Sequence, residues 1–404
     1  MLSINRLCYI ILLLMLIFGV YFYHALPIFQ FMDELLSWSL LMIAIFISIA
    51  KKDFKRFNKL WLVLAIFIFY LLYSIFISKV NTPQASLSDF LVQLKPYITF
   101  FVVYAIAPKF TPKQKTWLRY ICVTLALLML IIYLLPGDVW EIVFFHPAVL
   151  GISAVVLSMI YLTCSHGTKK DKIITTLILM LGLLGGRSKF YGFFIVALFM
   201  LFFFKREMLS HIKIKYIIVA LLILAVILVV SWKKVSFYFI NGEDFSSQEM
   251  TETIARAAFY AFSFPVMIDY FPFGPGFATY ATYFSAHPYS PLYAEYGMDK
   301  IWGLSEEFSD FVADTFYPVL AQFGFVGLFL FIIFISFMFL QIKRGANTLT
   351  EKWVIVSFLM LTFILIESIA SSAFISGGGI IAMILMGISL TDYERERGVI
   401  YGNK

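Results

Sequence analysis

The chain has 404 residues, 62% of them hydrophobic and 14% charged, with 46 Phe and 23 Tyr. Soluble domains run near half apolar and a quarter charged, so this composition excludes an ordinary soluble domain and fits helices immersed in lipid. The net charge of +7 and the pI near 9.0 do not point to nucleic acid, because the basic residues fall in short clusters between apolar runs, the pattern that orients membrane proteins.

A spanning helix needs about 20 apolar residues. Runs of that kind predict twelve spans, at about 7–28, 35–50, 60–78, 92–108, 117–135, 147–164, 173–186, 190–204, 215–232, 315–340, 353–372 and 378–391. Arg6 followed by the run from Leu7 to Tyr23 has the start of a signal peptide, but no small-residue cleavage site follows, so it reads as the first span. Cys8, Cys122 and Cys164 lie in or beside apolar spans, and no disulfide framework is expected. The fold class is therefore all-α: one polytopic transmembrane bundle of about twelve helices, with a single large, partly helical loop at 233–314.

Orientation follows from where Lys and Arg fall. With a cytoplasmic N-terminus, every inside connection is basic and all but eight of the 31 basic residues lie inside. The C-terminus is then also cytoplasmic, and the large loop is extracytoplasmic. The eight exceptions include Lys95, Arg187, Lys189 and Arg256. Cations kept outside against the bias that sets topology are candidates for binding an anion there.

Spans seven and eight form a hairpin with the tip Gly185-Gly186-Arg187-Ser188-Lys189. Each arm has about 15 residues, or about 22 Å of helix, short of a core of about 30 Å, so the tip should sit below the outer surface. Arg187 and Lys189 facing lipid there would cost several kcal/mol, so they should line a wet or ligand-filled cavity, with the glycines allowing close backbone approach to a ligand. The plainer alternative is a turn with snorkelling cations and nothing bound.

Within the loop, Ser246 and Glu249 fit a capping box, and Gln248 to about Tyr270 reads as helix. Arg256, Tyr260 and Ser263 share a face, and Glu252 stands at i−4 from Arg256, where a surface pair would be worth under about 1 kcal/mol. The stretch Phe271-Pro272-Phe273-Gly274-Pro275-Gly276-Phe277 is too rich in Pro and Gly for helix. From Tyr280 to Tyr317 aromatic residues alternate with acids, among them Asp310 and Asp314, and with one histidine, His287. Aromatic faces beside carboxylates suit carbohydrate, and they equally suit an interfacial belt with solvating charges. In span eleven, Glu367 is a lone intramembrane acid, a functional candidate by default and otherwise a hydrogen-bonded packing residue.

Taken together, the Gly185 to Lys189 tip, Arg256 followed by the 271–277 stretch, and the run from Ala313-Asp314-Thr315-Phe316-Tyr317-Pro318 to Gly324-Phe325-Val326-Gly327 resemble the bacterial O-antigen polymerase and O-antigen ligase group of membrane glycosyltransferases. The first looks like that group's Gly/Ser-Arg turn, the second like its "Arg, then Pro-x-Gly-x-Gly" stretch, and the third like the segment that leads into the next helix and ends in Gly-x-x-Gly. The layout covers most of the chain and the motifs cover about 50 residues; each is short, and their order and sidedness make the resemblance. Ligases of the group carry His-Asn where this chain has Ala313 and Asp314, which tilts the resemblance toward the polymerase.

The resemblance implies a GT-C-like fold in the bacterial inner membrane. It implies a polyprenyl-pyrophosphate-linked oligosaccharide as donor and acceptor, and a chain-length regulator and a flippase as partners. Arg187 and Arg256 would clamp the pyrophosphate, with Lys189 and Lys95 in support and Tyr260 and Tyr280 at the substrate, because guanidinium forks match phosphate oxygens and stay ionised. A base drawn from Asp314, Asp310, His287 and the loop glutamates would deprotonate the acceptor hydroxyl, with Glu367 a further catalytic candidate by its own intramembrane placement. No Asp-x-Asp pair or His/Cys cluster has metal-ligand spacing, so no metal or cofactor is expected. A transporter of lipid-linked sugar would more often show an internal repeat and mid-membrane charges; the hydrophilic mass here sits in one loop.

Overall fold

The computed structural model describes residues 3–136, 139–210, 248–347 and 349–401. The ninth predicted span, Lys233, Lys234 and the capping box at Ser246 lie outside the described residues, as does the side chain of Glu252. Among the described residues the architecture is all-helical, with no β-strand. In chain order the principal helices are α1 (Ile4–Tyr21), α2 (Pro27–Lys51), α3 (Phe54–Ser78), α4 (Pro83–Ile106), α5 (Pro112–Leu134) and α6 (Pro147–Cys164). They continue with α7 (Lys169–Met180), α8 (Ser188–Phe202), α9 (Gln248–Asp269), α10 (Tyr317–Gly345), α11 (Glu351–Glu367) and α12 (Gly377–Tyr401). Seven of these, α1 to α6 and α10, are long and apolar enough to cross a membrane. The helix α8 and the Gly377–Thr391 part of α12 are shorter apolar helices. Each predicted span other than the ninth has a helix at its place, and α9 belongs to the large loop.

Local sequence explains the starts. Thr82, Thr111 and His146 each cap a helix with Pro at its first turn, where proline's fixed φ and missing N–H cost nothing. In α6 78% of the span is buried inside the protein and in α4 72%, against 17% in α3. The two central helices thus form the interior, and α3 turns most of its surface outward. The last helix, α12, packs along α4, α11 lies against α12, and α5 and α7 flank α6.

The fourth span begins well before the predicted 92, at Pro83, because its early polar residues are buried and partnered. Asp89 accepts from the backbone N–H of Ala278 (2.8 Å) and from the side-chain amides of Gln322 (3.0 Å) and Gln93 (3.1 Å). This corrects the grouping of Lys95 with the loop cations. Lys95 is buried in α4, its Nζ 2.7 Å from Asp33 and also against Glu34 on α2.

The 271–277 stretch is a backbone crossing. Gly274 (φ +75°) and Gly324 (φ +61°) meet there, and a Cβ on either would lie 2.4 Å from the other's backbone nitrogen. The N–H of Gly276 donates to Gln322 O (2.8 Å) and that of Val326 to Pro272 O (3.2 Å). The glycines are needed because only residues without Cβ allow two chains so close.

The large loop has its own apolar core, in which Phe259, Tyr280, Tyr293 and Met298 are fully buried. Tyr280 therefore departs from its predicted place at a substrate: its ring is core and its hydroxyl donates to Phe259 O (2.7 Å). The aromatic run divides between this core and a few exposed rings, Tyr283 and Trp302 among them.

Candidate functional site

The hairpin tip is built by two glycines with different tasks. Helix α7 starts in a capping box in which Thr168 and Asp171 exchange side-chain-to-backbone hydrogen bonds, and it tightens into a 3-10 turn over Leu181–Gly185. Gly186 then adopts φ +62° in open space, so it is the turn that demands glycine there. A Cβ on Gly185 would lie 2.5 Å from Pro147 O. The close approach of Gly185 is to the start of α6. It presses Arg187 and Lys189 against two other elements.

Arg187 meets His146, the N-cap of α6. The imidazole Nδ1 accepts from Ala148 N–H at 3.2 Å and Nε2 faces the Arg187 guanidinium. A neutral imidazole has one acceptor nitrogen. Two N–H donors thus compete for it, and Arg187 has no carboxylate partner among the described residues. Burial first, then the charges of Arg187, Lys189, Arg256 and His24, push His146 down to about 4. Three of the four cations singled out from the sequence, Arg187, Lys189 and Arg256, thus oppose protonation of this one ring.

Lys189 reaches across to the end of α11. Its Nζ lies 2.5 Å from Glu367 Oε1 and donates to Ala370 O at 3.1 Å. Glu367 is 6% exposed, and Ser371 Oγ donates to its backbone carbonyl at 2.8 Å.

Segment 365–370 is a hub. Tyr260 on α9 donates to Ile369 O and Tyr317 to Leu365 O, both at 2.7 Å, and Phe316 N–H donates to Ser368 O at 3.3 Å. The hairpin tip, α9 and the approach to α10 thus dock on one short stretch. Arg256 sits one turn before Tyr260 and pairs with Asp314 at 2.9 Å. Asp314 is a long-range partner that sequence did not offer; the local pairing with Glu252 lies outside the described side chains.

Of the predicted site residues, Arg187, Lys189, Arg256, Asp314, Glu367 and Tyr260 gather at this hub. Tyr260 keeps 41% of its surface exposed while its hydroxyl is engaged. His287 and Asp310 lie elsewhere on the exposed loop, the His287 ring stacked on Tyr283 at 5.1 Å with the planes 10° apart. Lys95 belongs to the α2–α4 seam and Tyr280 to the loop core. The residue missed was His146. The dipeptide His146-Pro147 at the mouth of a predicted span was the available signal, since it reads as a cap opening a helix beside whatever lies at the membrane edge. No protein-family model matches the chain, and no curated protein matches it.

Proposed function

We propose that the protein is a multi-pass membrane glycosyltransferase that polymerises polyprenyl-pyrophosphate-linked oligosaccharide repeats into O-antigen or a similar surface polysaccharide on the outer face of the bacterial cytoplasmic membrane. The observation that carries this reading is the docking of the hairpin tip and α9 on segment 365–370, which brings Lys189 and Arg256, with Arg187 on the same tip, to one place. Two of the three cations are compensated by Glu367 and Asp314. Arg187 is held by a neutral ring, and keeps its charge for an incoming anion.

In the reaction the bond between the donor sugar and its pyrophosphate breaks, and the acceptor hydroxyl oxygen forms the new glycosidic bond. The hydroxyl proton passes to a base, and polyprenyl pyrophosphate leaves with the electron pair. Fixed cations aimed at the leaving oxygens stabilise that developing charge more than they stabilise the ground state. Asp314, beside Arg256, and Glu367, beside Lys189, are the carboxylates of the cluster from which the base is drawn. His287 and Asp310, outside the cluster, are secondary choices.

The test is incubation of the purified protein with its lipid-linked repeat in detergent, without any ion gradient. A ladder of polymer lengths that vanishes in Arg187→Ala supports the reading. Transfer of glycan to lipid A core without a ladder would make the protein a ligase, and gradient-dependent movement without bond formation would make it a transporter.

A further inference from the structure

The ends of α6 and α11 opposite the cation hub carry a second basic site. Helix α6 has 18 residues, about 27 Å at about 1.5 Å per residue, so His146 at one end and Cys164 at the other are separated by close to a hydrocarbon thickness. At the Cys164 end a concave pocket of about 680 Å³ opens between the ends of α5, α6, α7 and α11. Lys115, Lys169, Lys172 and Lys352 line it, against a single acid, Glu351.

The partners divide these lysines. Lys172 pairs with Glu351 at 2.7 Å. Lys352 caps the end of α6, donating to Thr163 O (3.1 Å) and Ser165 O (2.8 Å), with its Nζ 4.2 Å from the Trp353 ring centroid. Lys115 and Lys169 have no carboxylate partner among the described residues. The positive-inside bias accounts for lysines at this end, and does not by itself account for a cavity that gathers four of them.

The basic pocket adjoins a smaller recess of about 180 Å³ lined by Lys109, Lys115 and Thr163 as well as Phe110, Trp353 and Ile388, and the two share Lys115, Cys164 and Trp353 as lining residues. A basic pocket at the ends of α5 and α6, which are long enough to cross a membrane, lies at the level of lipid headgroups. We propose that this pocket binds the phosphate-bearing headgroup of an anionic membrane lipid, with Lys115 and Lys169 as the uncompensated contacts. Basic pockets between helix ends at a membrane surface recognise anionic headgroups in this way. The inference rests on the membrane placement of the chain and not on its glycosyltransferase reading.

The experiment is native mass spectrometry of the full chain in detergent, with phosphatidylglycerol or phosphatidylcholine added at equal concentration, on wild type and on the K115Q/K169Q and K51Q/K52Q variants. The wild type is expected to retain phosphatidylglycerol over phosphatidylcholine. K115Q/K169Q should lose about tenfold of that preference. K51Q/K52Q, which changes a basic cluster away from the pocket, should keep it. An unchanged thermal midpoint in K115Q/K169Q would exclude misfolding as the cause. Equal retention of the two lipids, an undiminished preference in K115Q/K169Q, or displacement by inorganic phosphate at millimolar concentration would each overturn the proposal, the last in favour of a soluble phosphate ligand. No glycan enters the assay, so its failure would leave the polymerase reading untouched.

Discussion

Lys189 at the hairpin tip lies 2.5 Å from Glu367 at the end of α11, and the lysine's second hydrogen bond goes to Ala370 O in the same segment. The pair joins a turn to a helix end 178 positions away in sequence, and the glutamate is the more enclosed partner, with 8% of its side chain exposed against 20% for the lysine. Removing one partner of an enclosed pair leaves the other charge uncompensated, at a cost of about 3–5 kcal/mol for full burial. Lys189→Met is therefore expected to lower the thermal midpoint in detergent strongly. Lys189→Met/Glu367→Gln should recover most of the loss, since the second change removes the stranded charge. Additive effects in the double-mutant cycle would show that the two side chains do not interact.

Arg187 makes the opposite expectation. Its partner is a neutral ring, so Arg187→Ala should cost little stability while removing a cation from the proposed pyrophosphate site. The rate of polymerisation should fall about 100-fold, the scale of losing one fixed donor to developing negative charge. Arg187→Lys keeps the charge and loses the planar fork. Full polymer length in Arg187→Lys would rule out bidentate binding, though not a role for the charge itself.

The relation between sequence and structure differs from residue to residue for physical reasons. The span 147–164 matches α6 at both ends, because a proline opens it and the apolar run closes at the polar Ser165-His166-Gly167 turn; both signals are local. Span four was begun too late because Asp89 looks like a loop residue until Ala278 and Gln322, far along the chain, satisfy it. Charge counting singled out Lys189, Arg187 and Arg256, since a cation on the wrong side of a membrane stands out without knowledge of its neighbours. Their partners His146, Glu367 and Asp314 could not be paired from sequence, because each is a long-range contact fixed by how the hairpin tip and α9 dock on segment 365–370.

The glycines separate backbone need from spatial need. Gly274 and Gly324 combine positive φ with a facing backbone 2.4 Å from where a Cβ would stand. Alanine at either position must both strain the local backbone and push two segments apart, for an expected loss above about 3 kcal/mol. Gly186 has the positive φ but nothing within 4 Å, so Gly186→Ala should cost only about 1–2 kcal/mol. Thermal midpoints of the three variants check this order. A Gly186→Ala loss as large as that of Gly274→Ala would mean that the tip needs space as well as conformation.

His146 ties stability to pH with a definite sign. Burial and the three nearby cations lower it from 6.5 to about 4 in the folded protein, whereas the unfolded chain leaves it near its ordinary value. Between those two values the unfolded state binds the extra proton and the folded state does not, so stability rises with pH across that window. The contribution is fully present above pH 6.5, is lost as pH falls toward about 4, and changes no further below it. Acidifying the protein from pH 7 to pH 4.5 should lower its thermal midpoint by a few degrees through this group. His146→Asn, which cannot take up the proton, should flatten that part of the curve. Arg187→Ala should narrow the window from its lower end, because one of the charges opposing protonation in the folded state is gone while the unfolded value is unchanged. The same acid slope in wild type and His146→Asn would show that the ring does not hold its proton affinity down in the folded state, and with it the electrostatic convergence of the three cations on that ring would fail.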